Sequence, residues 1–390
     1  MSDVKLTVAY QPMVRLSSPE LDDAPMKRAL VLLCAFYGAT IVTLYWVGIQ
    51  PVVPWSLLPV FVLVVIPFAL GAAGAVSLVA RHVTCRHAMT RGRCVLLGAI
   101  FLAAYRLDSP LFLLGQVVLL PVVARSVWRS GLVRPLTLMA VALTVGYATI
   151  WNLNYLVALL SKGRLADPVL RELDIALYQL IFRIPVDYLG FFPIVRSEVL
   201  FRLFENAYVM LLPEIFVVAL LWVMVKRDVA AFLRTFFLCY LVGLIVFALY
   251  PAVGPCIAFP DSFGDEFRET LTFRLMDGMA SEYTASLERT SVNGFGYFIA
   301  IPSLHVALAV VLQVMLRVSP AHFWAFLPIN VVVASSTIIL GYHYLIDMLA
   351  GLALGASVAL PYWRRTQVRH KVQRSEHATS SPARERSARE

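Results

Sequence analysis

The sequence predicts an all-α polytopic membrane protein, and three observations carry that prediction. Of 390 residues, 60% are hydrophobic and only 15% are charged, well below the roughly 25% charged residues of an ordinary soluble domain. The mean hydropathy is +0.77. Apolar runs recur along the chain at about the 20-residue length that spans a bilayer as a helix, and short basic clusters separate them. The net charge of +9 therefore sits in cytoplasmic loop ends. That distribution argues against a nucleic-acid partner.

Residues 1–27 are polar and mixed and read as a cytoplasmic tail. Spans are expected at 28–50 and 54–80; the first run is long, has no small-residue cleavage site and reads as a true span rather than a leader. The stretch RHVTCRHAMTRGR, 81–93, holds four arginines and no acid and marks the inside. Residues 94–124 are apolar but broken at YRLDSP, where Arg106 and Asp108 are costly in a bilayer and Pro110 suits a first helical turn. Arg125, Arg129 and Arg134 follow. A hairpin of two short helices and a re-entrant hairpin both keep the two basic flanks inside; a single crossing does not. The total is about 9–10 helices, or 8 with a re-entrant hairpin.

A span is expected at 135–159. In 160–203, Leu173, Ala176, Leu177, Leu180 and Ile181 fall at helical spacing, which suggests helices lying at the membrane interface. Further spans are expected at 204–225, 232–251, 300–316, 322–341 and 344–362. Lys226, Arg227 and Arg234 mark one inner loop and Arg317 another. The segment 252–297, with seven acids and three basic residues, reads as a long outer loop. The tail from Arg364 onward carries eight Lys and Arg residues and reads as disordered and cytoplasmic. Counting back from it puts the ends near His305 and His343 outside. The domain division is 1–27, an accessory membrane region 28–125, a membrane domain 126–362 and the tail 363–390. The cysteines, Cys34, Cys85, Cys94, Cys239 and Cys256, include no CxxC pair; no structural disulfide is expected, and Cys256 is expected to face outside.

Among seven histidines, only His305 and His343 fall at outer ends of spans. His305 follows Pro302, Ser303 and Leu304, and Pro302 is placed to open a helix whose free N–H groups attract anions. Asp347 comes four residues after His343, one turn along the same helix face. An acid inside a membrane span is rare and is read first as functional. An aspartate that accepts one ring N–H leaves the other ring nitrogen free as nucleophile or base. The residues alone leave open a catalytic pair, a proton relay in a transporter and packed structural residues. Asp261, Asp265 and Glu266 form no metal-ligand motif, and no metal or cofactor is expected.

PSLH at 302–305 with His343, Tyr344 and Asp347 as H-Y-x-x-D resembles the type 2 phosphatidic acid phosphatase superfamily. The likeness is greatest to its branch of inositol phosphorylceramide and sphingomyelin synthases. YPAVGP at 250–255 is similar to that branch's proline-rich stretch, and the resemblance covers residues 135–362. It implies a six-helix catalytic core, with the earlier spans as an addition. It implies metal-free phosphoryl or phosphodiester transfer: His343 as covalent nucleophile, Asp347 holding it, and His305 protonating the leaving group and then activating the acceptor. The substrate would be a lipid phosphate or phospholipid, with water or an alcohol as acceptor. The superfamily's upstream Lys/Arg-Pro motif is absent, and Ser336 and Thr337 stand where it has Ser-Arg before the last histidine. Phosphate binding therefore falls to Ser303, Leu304 and Tyr342 with Arg289, while Arg183 and Arg268 are rival cations. The expected location is the bacterial inner (plasma) membrane, with the site on the periplasmic or extracellular side.

Overall fold

The computed structural model describes residues 24–48, 133–183, 197–224, 229–289, 298–318 and 320–361. The expected span at 54–80, the hairpin at 94–124, the basic cluster at 81–93, and the two polar tails apart from residues 24–27 lie outside them.

Every regular element among the described residues is helical. They are α1 (Ala24–Trp46), α2 (Val133–Ser161), α3 (Asp167–Phe182), α4 (Glu198–Met224), α5 (Val229–Leu249), α6 (Leu271–Glu288), α7 (Leu304–Met315), α8 (Pro320–Ile339) and α9 (Leu345–Pro361). Three stretches, Thr137–Ser161, Val229–Leu249 and His322–Ile339, are long and apolar enough to cross a bilayer, as an all-α integral membrane protein requires. The six stretches expected as spans from residue 135 onward coincide with helices α2, α4, α5, α7, α8 and α9, of which α2, α5 and α8 hold the stretches long and apolar enough to cross. Short single-turn helices at Pro255–Ala258, Pro260–Ser262 and Asp265–Arg268 link α5 to α6.

One departure is α6, which occupies a stretch expected to be loop. Thr270 caps it by accepting the Phe273 N–H at 3.1 Å. Its buried face, Thr272, Met276 and Tyr283, recurs at helical spacing beneath a polar surface. Glu205 of α4 holds its start by accepting the Thr272 N–H at 2.7 Å and hydroxyl at 2.8 Å. Tyr283 ties its end to Ser161 of α2 through a 2.9 Å hydroxyl contact. Thus α6 lies across one end of the bundle as a roof.

α7 is the central rod and packs on α4, α5 and α8. Apolar side chains have no strong preference for each other over lipid tails, so close packing must hold such helices together. Gly351 and Gly355 supply it. A Cβ at either would strike α7, at the Ser303 and Ala307 carbonyls respectively. The sequence GLALG therefore brings α9 backbone-close to α7. A polar chain adds to the core: Asn330 of α8 donates to Glu214 of α4 at 2.8 Å and to Gln313 of α7 at 2.9 Å.

Candidate active site

The site forms where the turn between α8 and α9 meets the start of α7 under α6. α8 stops at Gly341, whose φ of +76° is a left-handed end that favours glycine. A Cβ there would also run into Cys256 and Phe263. The last carbonyls are closed by Leu340 N–H to Ser336, Gly341 N–H to Ile338 and His343 N–H to Thr337. His343 thus sits in the turn before α9, not within the helix, which corrects the expectation that it shares a helical face with Asp347.

The two still meet. Asp347 lies in the first turn of α9 and folds back so that Oδ2 accepts the Tyr344 N–H at 2.9 Å, the acidic half of a capping box. The same oxygen stands 3.6 Å from His343 Nδ1. The nearer partner of Nδ1 is the Ala300 carbonyl at 2.8 Å. A carbonyl only accepts, so Nδ1 carries the proton and Nε2 keeps its lone pair. The Asp347 carboxyl stands behind that bond.

His305 is in the first turn of α7. Its ring stacks on Tyr208 of α4 at 3.9 Å and 16°, and Tyr208 stacks in turn on Tyr342 at 4.0 Å and 4°. The His305 and His343 ring centroids are 6.5 Å apart, and both rings line one cleft. Its other walls are apolar, with Val253, Ile257, Met276, Met279, Ile299 and Leu304.

The remaining expected residues divide. Tyr342 and Leu304 line the cleft. Pro302 precedes the helix rather than opening it, and Ser303 is the N-cap: its buried hydroxyl accepts the Val306 N–H at 3.4 Å and its N–H donates to the Asp347 carbonyl at 3.0 Å. Ser303 thus joins α7 to α9. The N–H groups of Leu304 and His305 meet no acceptor among the described residues. Arg289 is an exposed C-cap at φ +58° that does not line the cleft. Arg183 is the exposed C-cap of α3 at φ +56°, and Arg268 faces Asp261 and Asp265 at 3.7 Å each. The described lining contains no lysine or arginine. Cys256, expected outside, is buried with Sγ 3.5 Å from the Leu340 carbonyl. No group of three or more His, Cys, Asp or Glu side chains among the described residues is placed to hold a metal ion.

Sequence reasoning passed over Tyr208, Ala300 and two buried acids of α3. Asp167 accepts the Val253 N–H at 3.0 Å, the Gly254 N–H at 2.8 Å and the Tyr344 hydroxyl at 3.1 Å. Burial pushes its carboxyl up to about 6 against the pull of those donors. Gly254, at φ +93°, allows the close approach: a Cβ would collide with the Tyr342 carbonyl. Asp174 accepts the Leu345 N–H at 2.6 Å and the Ile346 N–H at 3.3 Å. A signal existed in Asp167, Leu170, Asp174 and Tyr178, which share one helical face.

Residues 191–360 match the family model of the PAP2 superfamily. That segment holds both histidines and Asp347, and α2 and α3 precede it. No curated protein and no solved structure matches the chain.

Proposed function

We propose that the protein is a membrane lipid-phosphate phosphatase or phosphotransferase working through a phosphohistidine on His343. The observation that carries this reading is the Nδ1–H bond from His343 to the Ala300 carbonyl, which leaves Nε2 facing a cleft shared with His305. Nε2 attacks phosphorus, the P–O bond to the leaving group breaks, and His305, carrying a proton taken up with the phosphate monoanion, gives it to the departing oxygen. The phosphorylated imidazole is cationic, and the Asp347 carboxylate balances it. In the second step the acceptor O–H loses its proton to His305, its oxygen attacks phosphorus and the P–N bond breaks. The scheme needs no metal. The Leu304 and His305 N–H groups, in the first turn of a helix whose start lines the cleft, are the candidates to meet the phosphoryl oxygens.

The apolar walls suit a substrate whose chain stays in lipid while its phosphate enters the cleft. The polar outer surface of α6 and the acids around it support a site on the extracytoplasmic face. The roof formed by α6, with Met276 and Met279 over the site, favours a second reading: head-group transfer to an alcohol acceptor, of the inositol phosphorylceramide or sphingomyelin synthase kind. A water-poor cleft protects the intermediate from hydrolysis.

The test is purified protein in phospholipid vesicles, given radiolabelled lipid phosphates and phospholipid donors with and without ceramide, diacylglycerol or inositol, alongside His343→Ala. Free phosphate that disappears in the variant supports the phosphatase. A new phospholipid that disappears supports the transferase. Turnover retained in His343→Ala contradicts both.

A further inference from the structure

We infer that α3 is a brace for the nucleophile's turn, and that Asp174, with Asp167 about two helical turns before it, is a positioning residue for His343; this rests on the phosphohistidine reading above. Asp174 is fully buried, and a single oxygen, Oδ1, accepts the N–H groups of both Leu345 and Ile346. These open α9, where a helix has no internal acceptors for its first donors. The preceding residue, Tyr344, does not cap them; its hydroxyl reaches Asp167 instead. The first-turn donors are therefore divided. Asp347 takes the Tyr344 N–H, and α3 supplies the acceptor for the next two. Asp167 also clamps the Val253 and Gly254 N–H groups. One helix preceding the family-matching segment thus holds two sides of the cleft.

Two consequences follow for the reaction. His343 lies two residues before Leu345, so the start of α9 sets where the imidazole stands relative to the Ala300 carbonyl and His305. Further, a free helix N-terminus attracts anions. Asp174 fills that place on α9, which leaves the phosphate to the N–H groups at the start of α7, the other helix N-terminus at the cleft. Asp174 acts through the backbone and does not line the cleft.

The experiment uses the full chain in lipid nanodiscs, with kcat, KM, thermal midpoint and single-turnover labelling of His343 for wild type, Asp174→Ala, Asp174→Asn and His343→Ala. Asparagine keeps an oxygen where Oδ1 accepts both N–H groups. We expect Asp174→Asn to hold kcat within about 3-fold, and Asp174→Ala to lose about 10- to 100-fold in kcat and labelling rate with KM within about 2-fold, since small misplacement of a reacting group costs on that order. Alanine matching wild type, asparagine falling as far as alanine, or a loss confined to KM would overturn the inference. Should alanine not fold, Tyr344→Phe carries the test, because it removes the hydroxyl bound to Asp167; a kcat about 3- to 10-fold lower is expected, and an unchanged one overturns the brace. Wild type that turns over without labelled His343 contradicts the underlying reading. Labelled wild type with an indifferent Asp174→Ala contradicts this inference alone.

Discussion

Gly351 of α9 lies against the Ser303 carbonyl at the start of α7, with no space for a Cβ between them. His305 follows Ser303 by two residues, and Asp347 precedes Gly351 by one helical turn. The 6.5 Å separation of the imidazole rings is therefore set by a backbone-to-backbone contact just beneath the cleft.

Gly351→Val should force α7 and α9 apart. Overpacking of this kind costs about 1–3 kcal/mol, and kcat should fall at least about 10-fold as the histidines separate. Gly278 of α6 has open space around it, so Gly278→Ala should leave kcat unchanged. Equal activity of the two variants would contradict the spacing argument.

Asp347→Asn keeps an oxygen for the Tyr344 N–H and removes the charge behind His343. The cationic phosphorylated ring then lacks its counter-charge. We expect kcat to fall about 10²- to 10⁴-fold, the range associated with lost acid–base assistance, with the folded fraction unchanged by gel filtration in detergent. A loss below about 3-fold would remove Asp347 from the mechanism.

Tyr208 holds the His305 ring by stacking. Tyr208→Phe preserves the ring and should keep most activity, whereas Tyr208→Leu frees the imidazole and should lower kcat about 10-fold. The pH–rate profile checks the cause: Tyr208→Leu should shift the limb assigned to His305, and Tyr208→Phe should not.

The buried carboxyl of Asp167 titrates at about 6 against an ordinary 3.8. The unfolded chain releases this proton at lower pH than the folded one does. Its contribution to stability is full below about pH 4, and it is lost as pH rises through about 6. The thermal midpoint of the protein in detergent should decline across that window, by the equivalent of at most about 3 kcal/mol, and then level off. Asp167→Asn should lack this part of the slope. Identical slopes would contradict the assignment.

His305 and His343 stand out in the sequence because they fall at the outer ends of apolar runs, and Asp347 because an acid inside such a run has few inexpensive explanations. The partners that orient them do not stand out. The Ala300 carbonyl leaves no trace in side-chain identity, and Tyr208 is distant in sequence with no local signal. Ser303 follows Pro302 as the cap of α7: its hydroxyl oxygen accepts the Val306 N–H, a role that leaves its O–H proton able to donate. α3 shows the clearest limit. Its apolar spacing was recognised, yet Leu173, Leu180 and Ile181 are exposed, and the buried face carries Asp167 and Asp174 instead. A search for apolar periodicity finds the face turned to lipid in such a helix and misses the polar face that docks. In α6, two of the acids that suggest an outer loop, Asp277 and Glu288, lie on the exposed side of a helix, and the third, Glu282, is buried.

The most direct measurement locates the covalent phosphoryl group. The protein would be incubated with a radiolabelled lipid phosphate, quenched in alkali to preserve phosphohistidine, digested and mapped by mass spectrometry. Label on His343, at Nε2, formed at least as fast as turnover and absent in His343→Ala, is the expected result. Label on His305, or turnover with no labelled histidine at all, would contradict it.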